Sequence, residues 1–159
     1  QMVTVTLPAA TTAALNGARI IIQIGMHNGN LYQCPVASEF CRLPEGMIVQ
    51  RQTNGVQPNP LYITSTTGGL IYVLVPKNVD AGSISIDFKG AIRAPYYRHG
   101  VTTVSDWVST VRQYPAPWAE LASDKFVLTV PTRNIAALNN PDAVMDFYDT
   151  AMDHMADFA

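Results

Sequence analysis

Residues 3–7, VTVTL, alternate apolar side chains with threonine, the period-two pattern of a strand with one face on a core and one in water. Pro8 ends it. Residues 18–25, ARIIIQIG, are denser in β-branched side chains and predict a central strand. Asn16 and Gly17 before it, and Asn28 and Gly29 after it, are turn signals, because both residue types tolerate positive φ. Shorter strands are predicted at 47–51 and 61–64, with Asn54 and Gly55 as a hairpin turn between them. Gly68 and Gly69 then lead into LIYVLV at 70–75, a continuous apolar run that predicts a strand buried on both faces and stopped by Pro76. Residues 83–88 alternate again, with Ile84, Ile86 and Phe88 on one face. Residues 91–97 read as another strand or extended segment.

Past residue 100 the period changes. A short helix is predicted over 105–113, with Trp107, Val108 and Val111 as its apolar stripe; Tyr114 precedes Pro115 and so leaves the helical region. A PAPWAEL loop at 115–121 leads to one more strand at 126–130, and Thr132 is placed to cap a helical turn running to Leu138. Asn140, Pro141 and Asp142 make a strong helix start: a capping side chain, a proline at the first position and an acid in the first turn. Val144, Phe147, Tyr148, Ala151, Met152, Met155 and Phe158 then cover one broad face, and five aspartates cluster opposite. No glycine, proline, lysine or arginine stops this helix in its last turn, so it is expected to continue beyond Ala159. The fold class that follows is mainly β: an antiparallel, jelly-roll-like β-sandwich over 1–131, followed by a short helical segment over 132–159.

Length and composition narrow the function classes. The 159 residues are 48% hydrophobic and only 14% charged, with net charge −2, which argues against a nucleic-acid footprint of clustered Lys and Arg. Asp142, Asp146, Asp149, Asp153 and Asp157 crowd the last 18 residues, where no Lys or Arg stands. No apolar run reaches the length of a membrane span, and no export signal precedes the first strand. A beginning at Gln1 and Met2 therefore suggests a trimmed chain. Cys34 and Cys41 have six residues between them in a loop-like region; they form either a local disulfide or two unpaired thiols.

The chemistry-bearing residues form no catalytic pattern. His27, His99 and His154 include no i, i+4 pair, and a hydrolytic zinc site needs three protein ligands. No Gly-x-Ser-x-Gly elbow is present, and Gly68 and Gly69 precede a strand and not a phosphate-binding helix. The five aspartates sit at rigid-helix spacing, unlike a cation-wrapping loop, and read as a solvated face unless a basic surface lies opposite. Trp118, Tyr114, Tyr96 and Tyr97 are candidates for a sugar-stacking platform; for Trp118 the favoured reading is an anchor at the strand-to-helix crossover.

Four stretches resemble the enhancin-like peptidases, metallopeptidase family sixty, which include mucin-degrading enzymes. They are LNGARIIIQIGMHNGNL at 15–31, GGLIYVLVP at 68–76, IDFKGAIRAPYYRHG at 86–100, and above all VRQYPAPWAELASDKFVLTVPT at 111–132, with NPDAVMDFYD at 140–149 fitting the approach to the catalytic half. The resemblance implies a non-catalytic N-terminal β-sandwich of a secreted or surface-attached zinc metallopeptidase acting on mucin-like O-glycoproteins. Residues 132–159 would then begin the catalytic domain, which would hold the zinc and be this segment's partner. The family's His-Glu-x-x-His signature is absent from this sequence, so no metal or catalytic residue carries over and the chain is expected to be inactive alone. Tyr96, Tyr97, Arg98, Trp118 and Glu120 lie in the matching runs and are the candidates for substrate-cleft or glycan contact. The rival reading is a stand-alone module that binds carbohydrate or protein.

Overall fold

The computed structural model describes residues 2–25, 48–66 and 68–158. Cys34, Cys41, His27 and the Asn28–Gly29 turn signal lie outside them. The chain divides into two compact units, Gln1–Ala91 and Ile92–Ala159.

The first unit is built from two three-stranded antiparallel sheets. In one, β1 (Met2–Thr6) lies between β4 (Leu61–Thr64) and β6 (Asp87–Lys89); in the other, β2 (Ile20–Ile24) lies between β3 (Val49–Thr53) and β5 (Ile71–Leu74). The alternation seen in the sequence decides which side chains go inward. Val3 and Val5 of β1, Ile20, Ile22 and Ile24 of β2, and Leu61 and Ile63 of β4 form one buried cluster, each contributing roughly 1.5–3 kcal/mol of burial. Both sheets share this core, as a sandwich requires.

Several expectations need correcting. A helix, α1 (Ala9–Leu15), follows Pro8 and adds Leu15 to the core, while Thr11 Oγ1 donates to the Ser85 carbonyl at 2.7 Å. Asn16, with φ 47°, is the left-handed residue that stops α1. Asn54 and Gly55 do not close a hairpin, since β3 pairs with β2 and β4 with β1. Instead the Asn54 side chain accepts from the Val56 and Gln57 amides at 3.1 Å, shaping a crossing between sheets. The apolar run at 71–74 is an edge strand, half-exposed at Val73 and Leu74. Of the 83–88 stretch only Asp87 and Phe88 join a ladder, continued by Lys89, and there Phe88 is exposed at the sheet edge. Gly68 and Gly69 have φ of +70° and +136°, and a Cβ at Gly69 would sit 2.7 Å from Gly25 Cα. That approach lets the Gly25 amide reach the Leu70 carbonyl at 2.9 Å.

The second unit is a mixed sheet, β7–β8–β9, with helices. β7 (Tyr96–Arg98) runs parallel to β8 (Trp118–Ala122), which pairs antiparallel with β9 (Val127–Pro131). The predicted short helix is present as α2 (Val104–Ser109) plus a 3₁₀ turn, Val111–Gln113. Thr103 caps it, accepting from the Asp106 amide at 3.0 Å. α3 (Thr132–Ile135) is a single turn, and α4 (Pro141–Asp157) starts as expected, with Asn140 accepting from the Ala143 amide and Pro141 at the first position. Tyr97, Trp107, Ala119, Leu121, Ile135 and Met145 form the second core. Trp107 meets Tyr97 edge-on at 5.6 Å and donates through Nε1 to the Leu138 carbonyl at 2.8 Å.

Two differences matter for the site. Only 115–117 of the loop expected at 115–121 lie outside regular structure: WAELA at 118–122 is the central strand of the mixed sheet, alternating between core and opposite face up to Leu121. The compact units also divide at 91/92, whereas the sequence reading divided the chain at 131/132. The strands β7–β9 account for this, because their inner residues are buried with Met145 of α4.

Candidate functional site

In-register parallel pairing sets Tyr96 opposite Glu120 and Arg98 opposite Ala122. Because Tyr97, Ala119 and Leu121 point into the core, Tyr96, Arg98, Trp118 and Glu120 share the other face of the sheet. Four of the five candidate contact residues are thus brought together. Tyr96 is 45% exposed, and Trp118 and Glu120 are half-buried. Arg98 Nη2 holds Asp124 at 2.5 Å, and Thr129 Oγ1 donates to Glu120 Oε2 at 3.4 Å. Neither Trp118 nor Glu120 is without a partner. Tyr114 is engaged separately: Arg93 donates to its hydroxyl at 3.1 Å and lies 5.5 Å from its ring centre.

Tyr97 leaves the group. It is fully buried, and its hydroxyl donates to Asp142 of α4 in a short hydrogen bond. Burial first, and then that bond to a carboxylate, push its phenol far above the ordinary range.

The acidic stripe of α4 is received by this chain's own residues. His99, just past β7, places Nε2 3.2 Å from Asp146 and 3.5 Å from Asp142, with Nδ1 3.8 Å from Asp149. Ser123 donates to Asp149 in a second short bond, and its oxygen accepts from the Lys125 and Phe126 amides at 3.2 and 3.0 Å. Lys125 grips both oxygens of Asp153 at 2.6 Å, a bond that raises its pKa. His99, Ser123 and Lys125 were missed as a group. The only signal for them was the stripe itself, whose like charges at i, i+4 call for donors opposite.

These contacts make a seam, in which the Ser123 hydroxyl is held by the Asp149 carboxylate. Among the described residues no group of three or more His, Cys, Asp or Glu is placed to hold a metal ion. What the arrangement does is fasten α4 to the mixed sheet along one polar edge.

Residues 90–159, essentially the second unit, match the family described as Peptidase M60, enhancin and enhancin-like. That part of the chain is similar to the enhancin-like family. The similarity extends further in individual proteins. The chain is 37% identical over 156 residues to TRPM8 channel-associated factor 1 of Homo sapiens, covering 98% of this chain and 16% of that protein. It is 38% identical over 142 residues to factor 2 of Bos taurus, covering 89% and 15%, and 33% identical over 159 residues to factor 3 of Rattus norvegicus, covering 100% and 16%. The chain spans about one sixth of the length of these relatives. A crystal structure of a functionally unknown conserved protein, as a mutant, from Bacillus anthracis str. Ames shares the fold, with TM-score 0.58 and 19% identity over 94% of this chain and 27% of that one. No helix among the described residues is long and apolar enough to cross a membrane.

Proposed function

We propose that this chain is a non-catalytic, partner-contacting part of an enhancin-like protein that acts by association with a TRPM8-type channel. One observation carries this reading: similarity at 31–38% identity to channel-associated factors 1, 2 and 3 runs through 89–100% of the chain, across both compact units. The site chemistry is compatible, since the sheet face offers aromatic and charged contacts and no nucleophile with its base. The test is co-purification of the tagged chain with a TRPM8 channel expressed in the same cells, followed by recording of channel current with and without the chain. Specific capture and a shifted current are expected; no capture of the channel by the folded chain would sink the reading.

The family match over 90–159 favours a second reading. In it, the chain is the front part of a secreted or cell-surface zinc metallopeptidase acting on mucin-like O-glycoproteins, and Tyr96, Arg98, Trp118 and Glu120 border the glycopeptide. Zinc would be held by residues other than those described here and would supply the activated water. Zinc-dependent cleavage of a mucin by a protein that contains this chain supports it, and glycan binding by the chain with no cleavage points to a carbohydrate-binding module.

A further inference from the structure

We draw no further inference here: the strongest candidate, the edge of α4 that carries exposed Phe147, Met155 and Phe158, is an apolar face for which nothing in the structure shows what covers it.

Discussion

Tyr97 divides its side chain between two partners, with its ring against Trp107 and its hydroxyl on Asp142. Tyr97→Phe keeps the first and removes the second, and is expected to cost about 1–2 kcal/mol at neutral pH, measured by urea unfolding. The pH dependence adds a second readout. The fold holds this phenol protonated well beyond the ordinary range, so above about pH 10 the unfolded chain releases a proton that the native chain keeps. The unfolded state then binds fewer protons and stability falls as pH rises. The variant should lack that alkaline loss, and its deficit against the parent should shrink above pH 10; a constant deficit would mean the hydroxyl bond is not the cause. Tyr96 and Tyr97 show what the residue scale hides from sequence. Either could have faced solvent, and only the pairing of Tyr97 with Leu121 in a strand not foreseen at 118–122 settles which one is buried.

At the scale of elements, α4 was legible in its start and its amphipathic pattern, and less so in its orientation. Of the broad apolar face, Val144 and Tyr148 pack inward beside buried Pro141 and Met145, while Phe147, Met155 and Phe158 stay exposed. The donors at His99, Ser123 and Lys125 bring the acidic edge toward the protein as well, and those donors come from two other elements that no helical wheel includes. Two substitutions separate the faces. Met145→Ala should cost about 2–5 kcal/mol, whereas Phe147→Ala should stay within about 0.5 kcal/mol in the chain alone; equal losses would mean that α4 buries Phe147 as well. Asn140→Ala removes the cap and should cost about 1 kcal/mol, seen as faster amide exchange in the first turn of α4. The strand at 118–122 was hidden for a different reason: Pro115 and Pro117 read as loop, and the alternation that follows is short, with alanine at two of its positions.

At the scale of the whole molecule, the strands of the sandwich were readable because period-two alternation and β-branched side chains report burial directly. Which strand pairs with which was not, since β3 and β4 look like neighbours in sequence and join different sheets. The division between units was equally hidden, because it depends on which core receives β7–β9. The two cores share no residue: Val3, Val5, Ile20, Ile22, Ile24, Leu61 and Ile63 serve one, and Tyr97, Trp107, Ala119, Leu121, Ile135 and Met145 the other. Damage to one core should therefore remain local under native conditions. Ile22→Ala leaves a cavity among β1, β2 and β4 and should speed native-state hydrogen exchange at their amides, while those of Ala119 and Leu121 keep the parent's rates. Met145→Ala should do the reverse. A uniform increase across both units from either substitution would show that they unfold as one cooperative body, in spite of their separate cores.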